Sequence, residues 1–171
     1  MPTPAYLTLK GKTQGFISQD ALTAKSIGGK AQVNHKDEIL VQAFKHISKK
    51  PVDPQNGQPT GPRVYEPLII TKEFDRTSPM LYNAMAAGEK MEAFELKWYR
   101  TVENKLEHYF TITLTDAIIT GVKTYMPNCL DVQNKSFTHL EDVSFSFKAI
   151  EWQHVKSSTS GSDDWTTPVE E

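Results

Sequence analysis

Apolar and polar residues alternate with a repeat of two along most of the chain, which is the pattern of half-buried β-strands. In the segment 92–100, Phe94, Leu96 and Trp98 fall on one face and the intervening residues fall on the other. The same alternation occurs in segments 5–10, 108–116 and 142–154, and segment 66–74 is a further apolar segment with Pro67 at its start, where the missing amide does least harm to a strand. Aromatic and β-branched residues, which suit a pleated surface, are frequent in these segments. Each is predicted to be a strand.

The segment 36–49 allows two interpretations. Its apolar residues also stand at helical spacing, at Leu40, Ala43, Phe44 and Ile47. We favour a strand here. The preceding segment 18–38 alternates poorly and contains two adjacent glycines, so it predicts a turn and gives no clear place for a second strand.

The clearest boundaries in the chain belong to a helix at about residues 78–88. Ser78 is the predicted N-cap, Pro79 takes the first helical position, and Gly88 follows the last turn. One apolar stripe is formed by Met80, Leu81, Ala84 and Met85. Many strands and one short helix predict a mainly β fold: an antiparallel β-barrel or sandwich whose opening the helix covers.

The segment Lys49–Pro67 holds five of the chain's ten prolines and lacks an apolar run. Proline removes an amide donor and restricts its predecessor, so the segment is predicted to be a long extended loop rather than a helix or central strand. Prolines also reduce the conformational entropy that ordering removes. The loop is therefore either a stiff arm that docks on something or a tolerated surface loop.

Some apolar residues fall on the faces opposite the predicted core. After Phe147 the alternation slips, so that Ile150 and Trp152 fall in phase with polar residues. Five such positions form the predicted wall set, namely Tyr6, Met91, Tyr99, Ile150 and Trp152. Either a bulge and ordinary scattered exposure explain them, or the wall of the fold associates with another copy.

Composition narrows the possible functions. A net charge of −2 gives no basic footprint for nucleic acid. The single cysteine, Cys129, has no partner for an internal disulfide, which suits a reducing compartment. The N-terminus lacks the features of a secretory signal, and no apolar run reaches the length of a membrane span. We therefore expect synthesis in the cytoplasm, without nucleic-acid binding or membrane insertion.

The chain shows no grouping of residues that predicts catalysis. The histidines are scattered and lack the spacing of a helical metal site. No nucleophile motif is present, and Ser78 already has a capping role. Asp75, Glu141 and Asp142 are predicted to lie on solvated faces. We predict neither an enzyme nor a cofactor or metal site.

Four stretches, taken in order, carry a family resemblance: TGPRVYEPLIITKEFDRTSPMLY from Thr60, then ELKWYR, HYF and HLEDVSFSFKAIEW. Their order resembles the haemolysin-coregulated proteins (Hcp), the tube component of bacterial type VI secretion. The resemblance runs from Pro4 to Trp165. Lys72, Trp98 and Glu141 are among the matching positions.

The resemblance implies a structural subunit that forms six-membered rings. The rings would stack into a hollow tube that carries or chaperones effector proteins and is itself exported. Spike proteins of the VgrG type and contractile sheath proteins would be its partners. The proline-rich loop would reach toward the neighbouring ring through Pro51, Asp53, Pro54, Asn56, Gly57, Thr60, Gly61 and Arg63. Apart from the resemblance, the charges of Arg63 and Lys72 are expected to pair with Glu73 or Asp75 across the wall contacts between copies.

The predicted organisation is one Hcp-like domain over residues 1–155, followed by a polar tail over 156–171 that is too short for a separate effector domain. Trp165 is unusual in such a tail and is a candidate for docking on the fold. Three other functions stay open at this point: a phage tail-tube protein, a monomeric ligand-binding β-sandwich, and a small hydrolase.

Overall fold

The computed structural model describes residues 3–167, and most of its strands belong to two antiparallel sheets. The first sheet has seven strands in the order β13-β12-β9-β8-β1-β2, with β3 also paired to β1. Its strands are β1 (Ala5–Gly11), β2 (Gly15–Phe16), β3 (Ile39–Val41), β8 (Met91–Val102), β9 (Lys105–Thr115), β12 (Ala149–His154) and β13 (Thr159–Asp164).

The second sheet has four strands in the order β10-β11-β7-β4. These are β4 (Ala43–Lys45), β7 (Leu68–Glu73), β10 (Ile118–Tyr125) and β11 (Leu140–Ser146). A separate pair joins β5 (Ser48–Lys49) to β6 (Val64–Tyr65). In the described part of the chain the two sheets are not joined into a closed hydrogen-bonded barrel. The sandwich form of the predicted fold is therefore confirmed.

The ambiguous segment 36–49 is extended, as we favoured. Strand β3 pairs with β1 in the first sheet, and β4, which follows after Gln42, pairs with β7 in the second. The Gln42 amide donates to the Thr71 carbonyl at 2.8 Å, so the chain continues from one sheet into the other without a break in pairing. This crossing explains why the segment showed no clean alternation: its two halves face different sheets.

The predicted helix is confirmed as α2 (Ser78–Ala87), and Gly88 ends it in the left-handed conformation at φ 63°. The capping prediction is wrong by one residue, because Thr77 is the N-cap and Ser78 is the first helical residue. Only two α2 side chains are fully buried, Leu81 and Ala84. Short helices not predicted from the pattern are α1 (Ala24–Ile27) and the 3-10 turns Gly28–Lys30, Val33–His35 and Val132–Asn134.

The alternating apolar faces meet between the two sheets. Leu7 and Leu96 lie opposite each other on β1 and β8 and have no exposed surface. Phe94 and Phe145 join the sheets through an edge-to-face contact with 4.9 Å between ring centroids. Full burial of such side chains contributes about 1.5–3 kcal/mol each. This core accounts for the faces that the period-two pattern assigned to the interior.

A buried cluster of charged residues joins α2 to strands β7 and β11. Lys72 of β7 has no exposed surface, and its Nζ contacts Glu141 Oε1 and lies 3.1 Å from Asp75 Oδ1. Ser78 Oγ donates to the same Glu141 oxygen at 2.7 Å. The predictions of a solvated face for Asp75 and Glu141 and of an intersubunit pair for Lys72 are wrong. Because charges are buried only when paired, these residues lie against one another instead.

The segment after His154 is not simply a tail. Strand β13 pairs with β12 along six residues, from Ala149 opposite Asp164 to His154 opposite Thr159. Trp165 then donates its amide to the Lys148 carbonyl at 2.9 Å and packs partly buried against the core. The end of the predicted tail, residues 168–171, lies outside the described residues.

Candidate assembly surfaces

Residues 50–63, which we call the arm, form an ordered hairpin-like excursion between β5 and β6. Val52 pairs with Pro59 across the arm, and the Asp53 amide donates to the Gln58 carbonyl at 2.8 Å. The Thr60 amide donates to the Pro51 carbonyl at 3.0 Å. No residue of the arm is buried, so its shape comes from its own hydrogen bonds and prolines.

The tip of the arm turns on residues whose chemistry suits a tight turn. Asp53 Oδ1 accepts the Gln55 amide at 2.8 Å, and Asn56 Oδ1 accepts the Gln58 amide at 2.9 Å. Gly57 has φ 71°, a left-handed conformation that strains side chains with a Cβ. The predicted extended loop is thus a folded turn with two extended limbs.

The root of the arm is clamped to the C-terminal strand. Arg63 Nε and an Arg63 terminal nitrogen donate to the two carboxylate oxygens of Asp163 at 2.8 and 2.9 Å. The same Arg63 nitrogen donates to the carbonyls of Asp164 and Thr167 at 2.6 and 3.0 Å. Such bidentate pairs fix geometry as well as charge. Arg63 therefore has a partner 100 residues away in its own chain, and the predicted pairing with Glu73 or Asp75 is wrong.

Tyr65 completes the clamp and gives it a pH dependence. Its hydroxyl donates to Asp163 Oδ2 at 2.6 Å. Burial, and then the hydrogen bond to Asp163, raise the pKa of Tyr65 to about 12. The hydrogen bond from Arg63, and then the one from Tyr65, hold the pKa of Asp163 below its ordinary value. Asp163 could not be predicted as a partner of Arg63 from the sequence, because the strand that carries Asp163 is short, polar and without alternation.

Aromatic side chains pack around Tyr65 at the root of the arm. Tyr65 meets Trp165 edge to face at 5.6 Å between ring centroids, and it lies tilted against Phe147 at 5.5 Å. His46 stacks on Tyr65 at 6.0 Å, and burial lowers the pKa of His46. The expectation that Trp165 docks on the fold is met at this cluster. The arm therefore projects from a rigid base.

The structure divides the predicted wall set. Tyr6, Met91 and Ile150 are at most 3% exposed, so the expectation that they present open apolar surface is wrong. Tyr6 is covered because the segment after β2 folds over β1: its hydroxyl donates to Gln32 Oε1 at 2.7 Å and its ring stacks on His35 at 3.8 Å. Poorly alternating residues supply this cover, which the strand pattern did not reveal.

Tyr99 and Trp152, the other members of the wall set, are only partly buried. Tyr99 meets Tyr6 edge to face at 5.3 Å and lies on the outer part of the β8–β9 hairpin. The ring centroids of Trp152 and Tyr65 are 6.3 Å apart, so Trp152 belongs to the aromatic cluster at the root of the arm. Neither side chain is fully covered within one chain, so both stay candidates for contact between copies.

A further apolar surface lies where no site was predicted, on residues 126–139, which we call the β10–β11 loop. Met126, Leu130, Val132 and Phe137 are between 55% and 89% exposed. Cys129 is also exposed on this loop. These residues follow no period in the sequence, and their exposure depends on the turn that carries them. Only a count of apolar residues in a Pro- and Asn-containing segment pointed to them.

Residues 3–167 contain no cluster of three or more His, Cys, Asp or Glu side chains suited to hold a metal ion. Within the same range, none of the helices has both the length and the apolar character needed to cross a membrane. The described features that stand out are thus surfaces: the clamped arm, the partly buried aromatic residues Tyr99 and Trp152, and the β10–β11 loop.

Comparison with known proteins places the fold in a family. The family described as type VI secretion system effector, Hcp, matches residues 6–154. The chain is 50% identical to the major exported protein of Pseudomonas aeruginosa over 170 residues, 99% of each protein. A crystal structure of an Hcp protein superposes with a TM-score of 0.93 at 43% identity, covering 96% of this chain and 99% of that one. The structure of the secreted protein Hcp3 of Pseudomonas aeruginosa superposes with a TM-score of 0.80, at the same identity and with the same coverage of both chains. The chain therefore belongs to the Hcp family of type VI secretion proteins.

Proposed function

We propose that the chain is the structural subunit of the inner tube of a type VI secretion apparatus. Six copies close into a ring, rings stack into a hollow tube, and the tube carries effector proteins and leaves the cell with them. Its partners are other copies of itself, the effectors, a VgrG-type spike and the contractile sheath. The observation that carries this proposal is the arm: an exposed, pre-shaped segment clamped at its root to a family fold.

Ring closure requires two different surfaces on each copy. A cyclic ring uses a heterologous interface, in which one patch meets another until the rotation closes. The partly buried residues Tyr99 and Trp152 lie on different strands, β8 and β12, and supply apolar area on either side of β9. Aromatic residues are enriched at the buried centres of such interfaces. We assign the ring wall to these two positions and remove the buried Tyr6, Met91 and Ile150 from it.

Stacking uses the arm. A segment already held in one shape loses less conformational entropy on docking than a free loop does. The Arg63–Asp163 clamp and the turn hydrogen bonds hold the arm in this way before any partner arrives. The arm is short and mostly polar, so each contact between rings is weaker than the closure of a ring. Tube growth then depends on a nucleating partner rather than starting spontaneously.

Native mass spectrometry and sedimentation test the proposal on the intact chain. The expected species has six times the mass of one chain, over a broad range of protein and salt concentrations. A single chain under all those conditions refutes the proposal and favours a monomeric ligand-binding sandwich. A hexamer whose rings dock on a phage baseplate rather than a VgrG-type spike supports the phage tail-tube alternative.

A further inference from the structure

The arm and the β10–β11 loop leave the second sheet at opposite ends of strand β7. On its C-terminal side, the arm leads into Leu68, the first residue of β7. On its N-terminal side, the arm follows β4, whose last residue, Lys45, pairs with Ile69 near the same end of β7. The β10–β11 loop runs from Tyr125 to Leu140, and Leu140 pairs with Glu73, the last residue of β7. A strand rises about 3.3 Å per residue, so the two roots are about 17 Å apart.

The β10–β11 loop is an ordered platform. The Leu130 amide donates to Asn128 Oδ1 at 3.1 Å, and the Gln133 amide donates to Asp131 Oδ1 at 2.9 Å. Its apolar side chains nevertheless point away from the core, with Leu130 89% exposed. Phe74, 45% exposed, extends this surface through its contact with His139 at 5.7 Å. Several large apolar side chains exposed together on one ordered segment are unusual for a monomer and point to an interaction site.

We propose that the β10–β11 loop receives the arm of a second copy of this chain. The inference rests on the proposed function and names the surface that the arm meets. Copies repeated head to tail along β7 place the arm end of one beside the loop end of the next. Such an end-to-end contact is heterologous, and the chain carries two different protrusions at its two ends.

The chemistry of the two segments is complementary. Val52 at the arm is 53% exposed, follows Pro51 and pairs across the arm with Pro59, and these residues give an apolar and stiff edge for the apolar loop. The charge of Arg63 at the root of the arm is neutralised by Asp163 of the same chain. Near the tip of the arm, Asp53 carries a negative charge. Lys135 supplies a cation on the opposing loop. A spike or effector protein seated on the loop is the competing occupant.

Cysteine cross-linking tests this contact, because the only cysteine of the chain already lies in the loop. The variant Gln55→Cys adds one thiol at the arm tip. A short bismaleimide should join position 55 of one copy to Cys129 of another, and peptide mass spectrometry identifies the pair. The link cannot form within one chain, since the two segments lie at opposite ends of β7. Because the linkage is covalent, it also traps stacks that form transiently.

Two controls fix the interpretation. Thr101→Cys places a thiol at another exposed position, on the β8–β9 hairpin, and should give no link to Cys129. Gln55→Cys combined with Cys129→Ser should lose the mixed product. A hexamer that yields no link between positions 55 and 129 overturns this inference and leaves the proposed function standing. A parent protein that stays a single chain overturns both.

A second variant pair tests the loop independently. Leu130→Glu should keep the six-fold mass and shorten stacks at least tenfold in electron micrographs. Leu106→Glu makes the same change at a half-exposed site on the β8–β9 hairpin and should keep both rings and stacks. If Leu130→Glu stacks like the parent protein, the loop is not the receptor for the arm. Loss of spike or effector binding with normal stacking would assign the loop to that other occupant.

Discussion

Replacing Lys72 by Met should destabilise the protein by about 3–5 kcal/mol, the range measured when one partner of a buried ion pair is removed. Met keeps most of the length of the side chain, so packing changes little. The charge is lost from a site with no exposed surface. Two carboxylates, Asp75 and Glu141, then remain buried beside each other without their cation. Their hydrogen bonds from Thr77 and Ser78 persist but do not replace it.

The size of this effect follows from burial, and an exposed pair gives the contrast. Lys10 and Glu92 are 2.9 Å apart, but their side chains are 33% and 56% exposed. Water already solvates these groups, so Lys10→Met should change stability by at most about 1 kcal/mol. A domain of this size loses about 2–4 °C of Tm per kcal/mol. Lys72→Met should therefore lower Tm by roughly 10 °C, and Lys10→Met by no more than a few degrees.

Urea unfolding followed by tryptophan fluorescence measures both variants. Each should be measured at several protein concentrations, because association stabilises the folded state by mass action and would mask the loss. Lys72→Met combined with Glu141→Gln removes one stranded charge and keeps an acceptor for Ser78. The double variant should recover at least about 1 kcal/mol, within the range of coupling between neighbouring residues. Equal decreases in the free energy of unfolding for Lys72→Met and Lys10→Met would show that burial does not set the contribution of these ion pairs.

The other predictions concern the assembly surfaces. Asp163→Asn should loosen the arm and raise amide hydrogen exchange at least tenfold between residues 53 and 60, while exchange in β7 stays unchanged. The clamp should hold at neutral pH and weaken as pH falls below about 4, because a carboxylate with a lowered pKa stabilises the fold above its ordinary pKa and loses that contribution as it is protonated. Protection factors of the arm amides, corrected for the intrinsic exchange rate at each pH, should therefore fall between pH 7 and pH 3, and equal protection factors at both pH values argue against the clamp. Tyr99→Asp with Trp152→Asp should give folded single chains by light scattering, and persistent hexamers would exclude both residues from the ring wall. Deleting 53–59 should leave rings intact and remove stacks in electron micrographs; unaltered tubes would show that the arm is dispensable.

The sequence predicted those parts of the fold in which local pattern and tertiary environment agree. Phe94, Leu96 and their neighbours alternate because one face of β8 meets the core, and Gly88 ends α2 because its φ of 63° suits glycine. The mainly β sandwich follows from such segments. The family resemblance came from the same regions, where core and capping residues occur in a fixed order.

Predictions failed where the environment of a residue is set by distant chain segments. Lys72 and Glu141 look like surface charges by type, yet they are buried because they neutralise each other across 69 residues of sequence. Tyr6 seemed free because the residues that cover it, Gln32 and His35, belong to turns without a period. The apolar β10–β11 loop was overlooked for the converse reason: apolar side chains in a turn leave no strand or helix signature.

The two charge clusters have a consequence for assembly because they lie at the two ends of β7. At one end, the Lys72 cluster joins β7 to β11, whose first residue is also the root of the β10–β11 loop. At the other end, Arg63 and Asp163 fasten the root of the arm to β13. The root of the arm is thus anchored to the first sheet and the root of the β10–β11 loop to the second. The separation of the two roots is set by the length of β7. In a long stack, angular errors at successive contacts accumulate, so a rigid separation of the two contact surfaces matters more than the strength of any one contact. Loosening either anchor should therefore shorten tubes without changing the mass of a ring.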